Sequence, residues 1–172
     1  MKRFKFIAAA LAFLGLQSVQ ASDAPATLKV GDKAPNFTLT SNDNQQVSLS
    51  DYKGKDIVLM FSRAHWWPFC IKQLVRLQKQ KAEFDQMGIQ MLCVFREEKK
   101  GPEGAQKATK KSGFSPILLD TPTNLTKSYS QKGFSTYLIG KDGKIKAIIS
   151  GSKIKRPNAE VIIEKAKEVF NN

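Results

Sequence analysis

The chain has 172 residues and is 41% hydrophobic, which suits one compact domain with enough apolar residues for a core that needs no staples. Lys and Arg number 28 against 15 Asp and Glu, a formal net charge of +13, so anionic surfaces and acidic partners are attracted. The lysines are scattered rather than interleaved with aromatics, which argues against nucleic acid, and two cysteines with one histidine give neither a disulfide framework nor a metal or haem cluster.

The first element is a leader. Lys2, Arg3 and Lys5 make a positive start, residues 6–16 form an apolar run too short to span a bilayer, and Val19-Gln20-Ala21 ends in a small residue suited to cleavage after Ala21. No Cys stands at that site, so a lipoprotein is not expected. Residues 1–21 therefore read as a secretory signal peptide and 22–172 as the mature domain, still with 25 cations against 15 anions. The expected location is exported and periplasmic, with no stable membrane insertion after cleavage. Export implies an oxidising compartment, where a retained thiol is either buried and inert or in redox use.

Residues 34–39 and 46–49 predict a hairpin turned by Ser41-Asn42-Asp43-Asn44. Residues 56–61 are apolar on both faces, as in a central strand. A helix is expected over 71–87, with Ile71, Leu74, Leu77 and Phe84 at helical spacing and Gly88 as its stop. Residues 89–95 form a second buried strand, so strand, helix and strand make a right-handed crossover with parallel strands. A charged loop at 99–104, a helix at 105–111, a short strand at 117–119 and a helical turn or two at 125–129 follow. A hairpin of 136–139 and 144–149 closes on Lys141-Asp142-Gly143. The last helix opens at Pro157, with Ile162, Ile163, Ala166, Val169 and Phe170 as its apolar stripe. This order predicts an α/β, thioredoxin-like three-layer sandwich: a mixed central sheet with helices on both faces, an extra N-terminal β-hairpin and a C-terminal helix.

Ligands gather beyond the carboxyl ends of parallel strands. That edge collects Arg63, His65, Cys70, Arg96 and Glu97 from three segments. Cys70 opens the helix after the first strand, with Pro68 in the first turn, where the helix end favours an anion such as a thiolate. The plain alternative is a buried, inert cysteine. Arg63 or Arg96 could supply a cation, and His65 could orient or deprotonate Cys70 or simply make a polar contact. Cys93 lies mid-strand among apolar neighbours, so it reads as buried and inert, or else as a resolving partner for Cys70. Trp66, Trp67 and Phe69 pack the loop or form an apolar mouth beside Cys70.

Several stretches resemble the alkyl hydroperoxide reductase/thiol-specific antioxidant family, the peroxiredoxin-like redoxins, with kinship to exported thioredoxin-like reductases. They are Val30-Gly31-Asp32-Lys33-Ala34-Pro35-Asn36-Phe37-Thr38-Leu39, Val47-Ser48-Leu49-Ser50-Asp51-Tyr52-Lys53-Gly54-Lys55, Trp66-Trp67-Pro68-Phe69-Cys70, and Ser135-Thr136-Tyr137-Leu138-Ile139 before Lys141-Asp142-Gly143-Lys144. The family's first signature cysteine falls on Trp67, its Thr/Ser position is also Trp67, and its proline position is Arg63. Its arginine before the last hairpin is replaced by Phe134-Ser135, and Ser135 takes the place of a thioredoxin-type cis-proline at the mouth. A lost or recoded cysteine or selenocysteine at position 67 is a question for the gene.

The resemblance implies a thiol peroxidase in which Cys70 attacks a peroxide and an external thiol or thioredoxin-like donor restores it. Two further readings stand beside it. One is a one-cysteine thiol–disulfide oxidoreductase acting on a disulfide. The other is a redox-inactive module that binds a partner through the aromatic edge. No cofactor is expected.

Overall fold

The computed structural model describes residues 27–129 and 134–170. The expected leader, residues 1–21, lies outside the described residues. Seven strands form one sheet, in the spatial order 46–48, 38–41, 117–119, 89–95, 56–62, 136–139 and 145–149. β1 (Thr38–Ser41) and β2 (Gln46–Ser48) make the N-terminal hairpin, and a one-turn 3-10 helix, Leu49–Tyr52, follows. β3 (Asp56–Ser62) and β4 (Ile89–Phe95) lie parallel, from Asp56 beside Ile89 to Ser62 beside Phe95. β5 (Ile117–Leu119) extends the parallel set beside β4, while β6 (Thr136–Ile139) runs antiparallel to β3 and pairs with β7 (Ile145–Ile149).

The helix expected over 71–87 begins earlier and is two helices. α1 is Pro68–Lys79 and α2 is Lys81–Gln86, with Gln80 non-helical between them. The break falls in Gln78-Lys79-Gln80-Lys81, which offers no apolar side chain to hold that turn on the sheet. Gly88, in the left-handed region, ends α2 as expected. α3 spans Gly101–Ser112, so part of the expected charged loop is helical; Pro102 fits its first turn and left-handed Gly113 closes it by donating its N–H to Thr109 O at 2.7 Å.

Residues 125–129 form turns and not a helix, because Asp120 captures the backbone. Its buried carboxylate accepts from the Leu125 and Thr126 N–H groups and from the Thr123 and Thr126 hydroxyls. A side chain that takes these donors replaces the helical ladder. The final helix, α4 (Ala159–Phe170), starts two residues after Pro157, since Asn158 caps it through the Val161 N–H at 2.9 Å.

Strand alternation divides the core. Val58 and Met60 of β3, with Met91, Cys93 and Phe95 of β4, face Leu74, Leu77, Phe84, Ala105, Ala108, Ile162, Ile163 and Ala166. The four α-helices of the described residues thus cover one face. The opposite face buries Ile57, Leu59, Phe61, Leu92 and Val94 under Phe37, Leu49 of the 3-10 turn and Tyr129 of the 120–129 turns. Among the described residues, the expected second helical layer is therefore built from short turns rather than α-helix. Each fully buried aliphatic side chain contributes about 1.5–3 kcal/mol, so both layers hold the sheet rigid beneath the site. Among the described residues, no helix is long and apolar enough to cross a membrane.

Candidate active site

Beyond β3 and β4 the parallel ladder continues for one more step. Arg96 N–H donates to Ser62 O at 3.0 Å and Glu97 N–H to Arg63 O at 2.9 Å. This brings the segments after both strands side by side at the start of α1.

Trp67 is the residue before α1, Pro68 is its first and Cys70 its third. The Cys70 N–H turns back onto Trp67 O at 3.0 Å, and Pro68 has no N–H to offer. The backbone donor that meets the thiol comes instead from the end of β3: Arg63 N–H lies 3.4 Å from Cys70 Sγ. A second donor arrives from residues 150–157, the strap between β7 and α4. Arg156 places one guanidinium nitrogen 3.4 Å from Cys70 Sγ and another 3.4 Å from Phe61 O. Its guanidinium carbon also lies 3.8 Å above the Phe134 ring. Burial lowers the Arg156 pKa, and a Cys70 thiolate opposes that shift. Cys70 itself is fully buried beneath this strap.

The strap is held on both sides of Arg156. Trp67 Nε1–H donates to Lys153 O at 3.1 Å, and Gln73 Nε2–H to Pro157 O at 3.1 Å. At Gly151 a Cβ would fall 2.4 Å from Phe134 O, so the strap passes too close for any side chain there. Trp67 therefore fills the place of a signature thiol with an anchor for the cover over Cys70.

The other expected cations point elsewhere. The Arg63 guanidinium binds Glu97 at 2.6 and 2.8 Å and lies over the rings of Trp66 and Trp67, at 4.8 and 4.4 Å from their centroids. Its pKa is raised chiefly by the Glu97 hydrogen bond. What Arg63 gives Cys70 is its backbone N–H. Arg96 lies over Phe61 and donates to Thr126 Oγ1, Thr126 O and Tyr129 O, fastening the same turns that Asp120 organises. Burial lowers its pKa, with Asp120 opposing.

His65 turns to Glu98, which is 1% exposed and meets both His65 Nδ1 (2.7 Å) and the His65 N–H (2.9 Å), besides the Lys100 N–H (3.0 Å). The loop after β3 is thus tied to the start of α3. Glu98→Ala should cost about 1–3 kcal/mol, since it removes the shared acceptor of three part-buried donors, and lower the melting temperature by several degrees. A thermal melt within a degree of the parent would show that the carboxyl holds nothing.

Trp66, Trp67 and Phe69 do form one aromatic group, with neighbouring centroids 5.9 Å apart. Trp66 and Phe69 are exposed. Ser135 is buried, and its carbonyl takes the Phe61 N–H at 3.3 Å, so it belongs to the sheet rather than to an open mouth. Cys93 is 1% exposed in β4, beside Met60 and Ile117. Burial pushes its thiol pKa far up, and a charged Cys70 would push it further. Both cysteines are free. Arg156 is the residue that sequence reasoning missed. It sits 86 positions from Cys70, and Pro157 beside it reads as a helix start, so no local signal ties it to the site.

A family model described as the AhpC/TSA family matches residues 30–148. The thiol-disulfide oxidoreductase ResA of Geobacillus thermodenitrificans is 29% identical over 128 residues, covering 73% of this chain and 72% of that protein. A Mycobacterium tuberculosis protein whose name places it with the peroxiredoxins is 30% identical over 132 residues, covering 69% and 82%. Among solved structures, peroxidoxin BcpB of Mycobacterium tuberculosis superposes with a TM-score of 0.72 at 19% identity, over 83% of this chain and 98% of that one. That last likeness concerns the fold alone. With the family model spanning well over half its length, from the first hairpin to β7, the chain belongs to the AhpC/TSA family, whose members carry the thioredoxin-like fold and act through thiols.

Proposed function

We propose that the chain is an exported thiol peroxidase that works through Cys70 alone and is recycled by an external thiol. The observation that carries this reading is the pair of donors converging on one sulfur, Arg63 N–H and the Arg156 guanidinium, each 3.4 Å from Cys70 Sγ. The thiolate attacks one oxygen of the peroxide, the O–O bond breaks, and the departing oxygen leaves as water or an alcohol after taking a proton. Cys70 is left as a sulfenic acid. Arg156 is placed to stabilise both the thiolate and the charge that develops as the O–O bond opens. An external thiol then condenses with the sulfenic acid, giving a mixed disulfide and water. A second thiol releases Cys70 and carries off the disulfide. Cys93 takes no part in this scheme, because a thiol walled into a central strand lacks the freedom to meet its partner.

Reduced protein given one equivalent of hydrogen peroxide should gain one oxygen atom, mapped by peptide mass to Cys70. Added thiol should return the mass to its starting value. An unchanged mass after minutes, or oxygen found on Cys93, would overturn the reading.

The similarity to ResA favours a second reading, in which the same Cys70 attacks a disulfide rather than a peroxide. It differs in what is consumed, so comparing peroxide with disulfide turnover separates the two.

A further inference from the structure

Outside the sulfur's immediate contacts, the next feature of this region is charge. Between α1 and the strap lies a groove of about 240 Å³, whose walls include Phe69, Lys72, Arg76, Ile154, Lys155 and Arg156. Among the described residues, no carboxylate lines it. None of its four cations is ion-paired with a described acid. Elsewhere on this surface lysines do find carboxylates, as in Lys81 with Asp85, Lys107 with Glu103 and Lys146 with Asp142. Four unneutralised cations around one concavity repel each other, and an anionic ligand would relieve that repulsion.

The groove also adjoins the reacting atom. Arg156 both lines it and touches Cys70 Sγ, and the Arg156 Nε–H is buried with no acceptor among the described residues. Phe69 and Ile154 are 39% and 65% exposed and give it two apolar walls. A volume of this size suits a small organic molecule rather than a folded partner. Hydrogen peroxide needs no such groove. The thiol that restores Cys70 does need an approach, because Cys93 cannot supply one from within.

We propose that this groove binds the carboxylates of a small anionic thiol and delivers its sulfur to oxidised Cys70. The inference rests on the single-cysteine reading above. Lys72, Arg76 and Lys155 are the specificity-determining residues, and Arg156 links the bound carboxylate to the sulfur. In the step itself the incoming thiol loses its proton and forms an S–S bond with Cys70, while the sulfenic oxygen leaves as water. A second equivalent attacks the mixed disulfide, regenerating the Cys70 thiolate and releasing the oxidised dimer of the small thiol.

The test uses three thiols of different charge on peroxide-oxidised protein: mercaptosuccinate, mercaptoethanol and cysteamine. Each rate is corrected for the thiol's own ionisation and read by intact mass. Mercaptosuccinate should restore Cys70 about tenfold faster than mercaptoethanol, as three exposed ion pairs together would give, and cysteamine should be slowest. The advantage should shrink as salt is raised. In the double variant K72E/K155E, two exposed positions, the ratio of mercaptosuccinate to mercaptoethanol should fall to about one or below. A ratio near one in the parent, or one that survives the double variant, overturns the proposal.

Binding is also read without peroxide. Succinate titrated into the reduced protein should shift the backbone amide resonances of residues 72–76 and 153–156, and K72E/K155E should abolish those shifts. If peroxide leaves Cys70 reduced, the peroxidase reading fails alone and succinate still decides the groove. Absence of these shifts in the parent counts against the groove whatever peroxide does.

Discussion

Cys70→Ser is expected to abolish turnover of peroxides and of disulfides, by about 10³-fold or more, while leaving the fold intact. Serine keeps the shape of the side chain and offers the Arg63 N–H and Arg156 an oxygen in place of sulfur. It has no accessible anionic form at neutral pH, and the nucleophile is the one group that nothing else in the site replaces. Cys93 cannot take over, being fixed in the middle of β4 between Met60 and Ile117 with its pKa pushed far up. Peroxide consumption with thiol in excess, measured beside the melting temperature, checks the expectation. Activity within tenfold of the parent in a well-folded Cys70→Ser protein would remove Cys70 from the chemistry. A purely binding module with an idle thiol would lose no binding in the same variant, so one protein separates the catalytic readings from that third one.

Why Cys70 was legible in the sequence, and Arg156 was not, follows from the range over which each is determined. Cys70 is announced by its neighbours: an apolar strand, a proline in the first turn, then an amphipathic helix whose Leu74 and Leu77 fix the face that it buries. The parallel crossover is equally local, because two doubly buried strands joined by a helix allow one arrangement. Alternation likewise places Cys93 on the helical face of β4. Side-chain partners after the strands are another matter. Arg63, His65 and Arg96 all reach the correct edge, yet each has a nearer acceptor, in Glu97, Glu98 and the Thr126–Tyr129 carbonyls. A side chain with a buried or adjacent partner is spent there before it can serve a thiolate. Arg156 has no acid among the described residues in reach of a hydrogen bond, and the strap carries it onto the sulfur by pairings with Trp67 and Gln73 that no periodicity encodes. The capture of the 120–129 turns by Asp120 was hidden for the same reason: Leu125 to Tyr129 has helical spacing, and one buried carboxylate overrides it.

Arg156→Met is expected to slow oxidation of Cys70 by hydrogen peroxide about 10²–10³-fold, equivalent to about 2.7–4 kcal/mol of lost transition-state stabilisation. Methionine keeps an apolar stem of similar length but removes the guanidinium over Phe134, and with it both the charge and the donor at Sγ. It also removes a buried Nε–H that has no acceptor among the described residues, so the change should cost little stability. Arg156→Lys should fall between, because an ammonium keeps the charge yet cannot address Phe61 O and Cys70 Sγ together through one planar fork. Arg63→Met is the necessary comparison. Its guanidinium already serves Glu97 and the tryptophan pair, and its backbone N–H survives the substitution, so the loss should stay within about tenfold, the scale of one screened charge. Stopped-flow fluorescence can follow all three variants, since Trp67 lies against the strap that holds Arg156. If Arg63→Met slowed the reaction as far as Arg156→Met, the cation at the sulfur would have to be reassigned to the end of β3. If neither slowed it, the Arg63 N–H would be left as the sole donor, and the activation of Cys70 would rest on the backbone alone.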